Sequence, residues 1–469
     1  MGAICKAPCA GKCEIKTPFY TKRTCRAARR PAPRLILGRG EESMELHVVQ
    51  RGETVYSIAQ QYGVTESSII LNNELPDPRR LVEGQVLVIL FPELTHTVRP
   101  GETLAGIARE YGVTTNTLYR NNIRLQGSPQ IYPGETLVIR YRSVREGAME
   151  VNAYAYPWIN ETLLRQTLPY LTFLTPFTYG ITRGGGLVDL DDGALLAAAK
   201  EAGVAPLMHL STLTEQGNFS NELASYVLNH FSVQTALIDN ILATMREKGY
   251  VGLDIDFEFV FAEEATLYAA FVQNVTRRLN AQGYQVITAL APKTSAEQKG
   301  LLYEGHDYRA IGAASNAVLL MTYEWGYTYG PPLAVAPIPN VRAVVEFAVR
   351  EIEPGKIFLG IPNYGYDWML PFVQGTSRAR SISSRQAIEL AARYGAVIQY
   401  DEYAQSPFFN YIDENGRQHE VWFEDARSIR AKLALVPEYG LRGAGYWNAM
   451  RHFPQNWLVL NALYDVRRA

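Results

Sequence analysis

The sequence predicts an α/β chain: a (β/α)8 TIM barrel with a small α+β insertion, preceded by two short βααβ units. Three observations carry this. Eight short apolar runs alternate with amphipathic segments after residue 148, one pattern occurs twice ahead of them, and the fourth apolar run holds acids at every second position. The 469 residues exceed one ordinary domain, and 47% hydrophobic with 20% charged residues is the composition of a globular protein.

Residues 1–43 stand apart. They are basic (Lys6, Lys12, Lys16, Lys22, Arg23, Arg26, Arg29, Arg30) and hold all four cysteines, Cys5, Cys9, Cys13 and Cys25. No continuous apolar stretch makes them a recognisable signal peptide. The C-x3-C-x3-C-x11-C spacing comes without histidine, so no metal site is expected there. Met44 directly precedes the first patterned strand. The segment is read as a mis-called start, with a disordered basic tail as the alternative. A net charge of −2 gives no reason to expect nucleic acid, and no apolar run reaches the roughly 18 residues of a membrane span.

The repeat is found by alignment. His47-Val48-Val49-Gln50-Arg51-Gly52-Glu53-Thr54 matches His96-Thr97-Val98-Arg99-Pro100-Gly101-Glu102-Thr103. The register continues through Ile58-Ala59, Tyr62-Gly63-Val64-Thr65 and Asn72-Asn73, with Ile107-Ala108, Tyr111-Gly112-Val113-Thr114 and Asn121-Asn122 as partners. It closes on Gly84–Ile89 against Gly134–Ile139. Thr54 and Thr103 are expected to cap the first helix of each unit, and Gly63 and Gly112 to end it. These units, residues 45–91 and 94–141, resemble LysM domains, with small cores of their own. The resemblance implies binding of N-acetylglucosamine chains in a groove between the first strand–helix loop and the loop before the last strand. The candidates are then Gly52, Thr54 and Leu81, and Gly101, Thr103 and Ile131.

Residues 149–469 give the barrel. Its expected strands are Val151–Tyr156, Leu171–Tyr179, Pro206–Ser211, Gly252–Glu258, Val286–Ala291, Ala317–Tyr323, Ile357–Pro362 and Gly443–Trp447. Amphipathic segments lie between them: Val233, Leu237, Ile238, Ile241, Leu242 and Met245 mark one face, Leu267, Phe271, Val275 and Leu279 another. Strands alternating with helices imply parallel β/α units. A doubly wound open sheet is the alternative, but no G-x-G-x-x-G turn supports it. Residues 368–439 are expected to form the insertion, with a helix at 384–394, three strand-like runs and a turn at Asp413-Glu414-Asn415-Gly416.

The chemistry lies in Tyr250-Val251-Gly252-Leu253-Asp254-Ile255-Asp256-Phe257-Glu258. Strand side chains alternate, so Leu253, Ile255 and Phe257 face the helices while Asp254, Asp256 and Glu258 face the barrel interior. Glu258 comes last, at the C-terminal end where TIM-barrel sites are built. Acids this close cannot all ionise, so at least one stays protonated near neutral pH and is able to donate a proton. A D-x-D divalent-metal site and a solvated acidic edge are the rival readings. The apolar alternation and barrel context argue against both.

This stretch resembles the D-x-x-D-x-D-x-E of family 18 glycoside hydrolases, with Val251 in place of the first Asp. Met321-Thr322-Tyr323-Glu324 resembles their M-x-Y-D, with Glu for Asp, and Gly445-Tyr446-Trp447 supplies a Trp on the eighth strand. The resemblance implies a retaining, substrate-assisted mechanism. Glu258 is then the acid and later the base, Asp256 orients the substrate acetamido group and Tyr323 bonds its oxygen. Asp254 tunes Asp256, and Trp447 is the floor. No metal or cofactor is implied. Gly360–Trp368 (G-I-P-N-Y-G-Y-D-W), Val421–Ala426 and the paired LysM units resemble spore cortex-lytic N-acetylglucosaminidases. That adds Asn363, Tyr364 and Asp367 to the cleft, beside the Glu324 that the M-x-Y-D resemblance places there. It implies peptidoglycan as the glycan, with the spore coat, cortex or cell wall as its place. A chitinase, or a chitinase-like lectin that binds without cutting, are the alternatives.

Overall fold

Each repeat is set by the same local chemistry. In the computed structural model, which describes residues 43–469, Thr54 and Thr103 accept hydrogen bonds from Ser57 N and Gly106 N. They cap helices Val55–Tyr62 and Leu104–Glu110, whose first N–H groups have no partner within the helix. Antiparallel pairs close each unit, Met44–Val48 with Val86–Leu90 and Pro92–Thr97 with Thr136–Tyr141. The letters shared by the two repeats turn out to be struts. Asn73 Nδ2 donates to Ile69 O and Val88 O while its Oδ1 accepts from Val88 N. Asn122 does the same with Leu118 and Val138. His47 and His96 reach Glu53 and Glu102 at 2.8 and 2.7 Å, and those carboxylates also accept from Gln50 N and Arg99 N. The basic segment and its four cysteines, apart from Ser43, lie outside the described residues.

The eight expected barrel strands all form. They are β1 (Gly147–Ala155), β2 (Phe173–Pro176), β3 (Ala205–Ser211), β4 (Gly252–Asp256), β5 (Gln285–Leu290), β6 (Ala317–Leu320), β7 (Ile357–Pro362) and β8 (Gly443–Trp447). Each pairs parallel with the next, and β8 pairs with β1, which closes the TIM barrel. Three are shorter than their apolar runs, ending at Pro176, Asp256 and Leu320, so that Phe177, Glu258 and Tyr323 lie beyond the ladder. An additional short strand, Tyr464–Val466, lies parallel against β1. Leu253, Ile255 and Phe257 are buried in the core beneath the helices. Tyr154, Phe173, Leu207, Ile287, Leu319 and Phe358 fill the barrel itself. Among the described residues, no helix is long and apolar enough to cross a membrane.

After β7 the chain builds a five-stranded antiparallel sheet from Tyr364–Met369, Arg380–Ser383, Gln399–Asp401, Ser406–Ile412 and Gln418–Trp422, with helix Ser384–Tyr394 against it. The sheet begins four residues ahead of the expected 368. Helix Ala426–Tyr439, inside the expected 368–439, puts Ile429, Leu433, Leu435 and Val436 into the barrel core. An amphipathic run looks the same whichever core it serves.

The repeats are not separate beads. Val55, Ile58, Ala59, Leu87 and Ile89 make a small core for the first, but Met44, Val86, Val88 and Leu90 join the barrel core, as does Tyr141 of the second. Val86–Leu90 is apolar at every position, so each face buries against a different partner. All six tryptophans, at 158, 325, 368, 422, 447 and 457, lie outside the repeats and report on the barrel and its insertion. Leu90→Ala should therefore lower the tryptophan-detected unfolding free energy by roughly 2–5 kcal/mol, and the denaturation midpoint with it. A midpoint unmoved from wild type would show that the first repeat unfolds independently.

Candidate active site

The register of β4 against β3 puts Asp254 beside His209 and Asp256 beside Ser211. Asp254 and Asp256 are both buried, and Glu258 stands half-buried just past the strand end. Tyr154 OH donates to Asp254 Oδ2 at 2.6 Å. His209 Nε2 lies 3.5 Å from Asp256 Oδ2, while its Nδ1 is 2.6 Å from Thr178 Oγ1. Asp254 Oδ1 and Asp256 Oδ1 are buried without a partner. The side chain at position 251 belongs to the other parity, precedes β4 and is 37% exposed. Val251 is thus about 10 Å along the chain from Asp254 and has no part in tuning the acids.

Burial raises Asp254 to about 6, opposed by His209 and by the Tyr154 hydrogen bond. Burial pushes Glu258 up to about 8, with Asp256 and then Glu324 adding to the effect. Glu258 is consequently a protonated acid at neutral pH, at the open end of the barrel. Tyr323 sits among these acids, its hydroxyl held in the neutral form chiefly by burial and then by Asp256 and Glu258. Its ring passes over β7 only because Gly360 has no side chain: a Cβ there would meet Tyr323 Cε1 at 2.9 Å and Leu320 O at 2.3 Å.

Backbone placement of Glu258 depends on a second histidine. His306 is fully buried and its pKa falls to about 4, mainly through desolvation. Its Nδ1 accepts from Ala291 N at 2.9 Å, so Nε2 carries the proton and donates to Phe257 O at 3.0 Å. Trp447 rests on Tyr154 and Phe177, with ring centroids 5.6 and 4.9 Å away. Trp158, 72% exposed, stacks on Tyr156 beside it.

The opposite wall comes from the insertion. Glu324, in the left-handed backbone region at φ 68°, accepts from Tyr364 OH and from Tyr366 OH at 3.0 and 3.1 Å. That conformation costs an ordinary residue about 1 kcal/mol, and the two tyrosines hold it. Asn363 is buried and donates to Asn448 O at 2.8 Å, fixing the loop behind Trp447 rather than facing the cleft. Asp367 does not join the group. It lies on the other face of the sheet, bound by Arg380, Tyr411 and His419. Strand period two separates it from Tyr364 and assigns the cleft position to Tyr366, which the sequence reading passed over. His209 and His306 were also missed. The register between β3 and β4 reveals the first, and nothing in the local sequence marks the second.

Of the other expected residues, Thr54 and Thr103 are helix caps, Gly52 and Gly101 occupy exposed left-handed turns, and Leu81 and Ile131 are half-buried in the loops before each closing strand.

Comparison with known proteins gives a consistent result. The model for glycosyl hydrolases family 18 matches residues 199–451, and the LysM domain model matches 47–90 and 96–140. The cortical fragment-lytic enzyme of Bacillus subtilis (strain 168) is 43% identical over 429 residues, 90% of this chain and 99% of that one. The crystal structure of the Bacillus megaterium QM B1551 spore cortex-lytic enzyme SleL is similar with a TM-score of 0.77 and 41% identity, over 91% of this chain and 99% of that one. The Bacillus cereus spore cortex-lytic enzyme SleL gives 0.76 and 38%, over 90% and 98%.

Titration of the acids is directly measurable by infrared difference spectroscopy of the protonated carboxyl band. Removing a neighbouring negative charge makes ionisation of Glu258 easier, so both Glu324→Gln and Asp256→Asn should lower its pKa, and Asp256→Asn by more, following the order of their influence. An unchanged or raised titration point in both variants would mean the acids do not interact.

Proposed function

The chain belongs to glycosyl hydrolases family 18 and carries two LysM domains; from that premise and the geometry of β4 we propose that it cleaves β-1,4 bonds after N-acetylglucosamine in peptidoglycan, as found in spore cortex fragments. It is a glycoside hydrolase. One observation carries the reading: Glu258 stands half-buried at the barrel mouth, two residues beyond the buried Asp256, whose Oδ2 lies 3.5 Å from His209 Nε2.

In this reading Glu258 donates its proton to the leaving glycosidic oxygen and then removes one from the attacking water. The substrate's own acetamido oxygen closes on the anomeric carbon, so the configuration is retained. Asp256 accepts from the acetamido N–H and so holds that oxygen in line. Tyr323 donates to the same oxygen and positions it for the attack. Asp254, tied by Tyr154, keeps negative charge beneath Asp256. Trp447 supplies an apolar face for the cleaved sugar. The relatives named for cortical fragments and spore cortex support peptidoglycan as the polymer and the spore as the place of action, and the two LysM units support attachment to a glycan chain.

Glu258→Gln should lower turnover by roughly 10²–10⁴-fold, the range of a general acid, and leave binding of glycan fragments intact. In the wild type, kcat/KM should fall as pH rises through about 8, where Glu258 loses its proton. Borohydride reduction of digested peptidoglycan, with mass spectrometry of the sugars, should give reduced N-acetylglucosamine. Mainly reduced muramic acid would make the enzyme a muramidase. Activity on N-acetylglucosamine oligomers alone would make it a chitinase.

A further inference from the structure

The two repeats offer an internal comparison, since matching positions in one chain meet different surroundings. The loop before the closing strand runs Leu81-Val82-Glu83-Gly84 in the first and Ile131-Tyr132-Pro133-Gly134 in the second. Its backbone is the same in both: Gly84 N donates to Val49 O and Gly134 N to Val98 O, each at 2.8 Å, and both glycines are left-handed.

Their environments diverge. Val82 is 6% exposed and belongs to the core of the insertion, with Ile382, Ile398, Phe409 and Phe423. Ile398 N donates to Glu83 O at 2.9 Å, and Arg80 Nη2 donates to Ala392 O at 3.3 Å. A Cβ on Gly84 would lie 1.8 Å from Ile398 O, whereas nothing lies within 4 Å of one on Gly134. Leu81 borders a cleft shared with Ile388 and Ala392 of the insertion helix. Tyr132, the counterpart of Val82, is 59% exposed.

We infer that the two repeats have divided their work: the first is a strut holding the insertion that walls the active-site cleft, and the second carries the polymer-binding groove. Docking the loop on the insertion buries Val82 and sets the insertion helix across the cleft from the wall that Leu81 would give to a glycan. The second repeat keeps that wall open, with Ile131 at its base and Tyr132 presenting an aromatic face to a sugar ring. The inference rests on reading the repeats as glycan-binding modules.

Pelleting with insoluble peptidoglycan tests it, using the full chain with Glu258→Gln to stop digestion. Tyr132→Ala should weaken pelleting by about tenfold, the effect of truncating an aromatic anchor, with an unchanged Tm. Tyr56→Ala removes an exposed aromatic beside the first repeat's strand–helix loop and should leave pelleting within about twofold, well below that anchor effect. Val82→Ala should lower the Tm without changing pelleting. Equal weakening by Tyr56→Ala and Tyr132→Ala overturns the division of labour, as does an unaffected Tyr132→Ala chain. If the chain carrying only Glu258→Gln fails to pellet, the glycan-binding reading falls, and the inference with it.

Discussion

Three carboxyl groups share one face of a single barrel strand, and most of the surrounding structure answers to that. Ionised carboxylates are costly in a poorly solvated interior and repel one another there, and burial first, then the charges of Asp256 and Glu324, leave a proton on Glu258. The supports around the acids are hydroxyls and imidazoles. Tyr154 and His209 lower the cost at Asp254, Tyr364 and Tyr366 hold Glu324, and His306 fixes the carbonyl immediately before Glu258. Groups of this kind bind a carboxylate without quenching the acid beside it. The same feature that makes the strand costly to fold thus leaves an acidic proton at the barrel mouth.

The cleft is held from outside as well as from within. Glu324 depends on tyrosines from the first strand of the insertion, and the other face of that sheet packs around Phe409, Val421 and Phe423. Val82 of the first repeat enters that second core. Asn363, Asn448 and Arg451 fix the chain after Trp447, and His452 beyond them meets Glu74 of the first repeat. The N-terminal repeat therefore supports both the insertion wall and the loop behind the floor. A module attached only as a tether would have no reason to bury an apolar strand on both faces.

Much of this was legible in the sequence because it rests on period. All eight barrel strands, the helix Ser384–Tyr394 and the inward acids follow from the alternation of apolar and polar residues. Period also contained information that went unused. Val251 is out of phase with the acid ladder, Asp367 is out of phase with Tyr364, and Val86–Leu90 lacks a polar face. Other features have no local signal. His306 lies in a turn before helix Tyr308–Ala314, and its meeting with Phe257 depends on how the barrel closes. Docking of Gly84 on Ile398 joins residues more than 300 apart in the chain, and both sequences would serve equally well on a free surface.

His209 shows how far the geometry constrains the chemistry. Its Nε2 faces Asp256 Oδ2 across 3.5 Å, and its Nδ1 is engaged by Thr178. An ionised carboxylate facing an imidazole lone pair would be repelled, so that gap is stable only with a proton in it. If the proton sits on Nε2, Asp256 is free to accept from a substrate N–H. If it sits on Asp256, the acetamido group loses its acceptor and its oxygen is no longer held in line. Asp254 lies beside the same histidine in the strand register, and His209 opposes the effect of burial on it. His209 thus borders both inner acids, Asp254 across the strand register and Asp256 across 3.5 Å, and in the proposed mechanism any influence of Asp254 on Asp256 passes beside it.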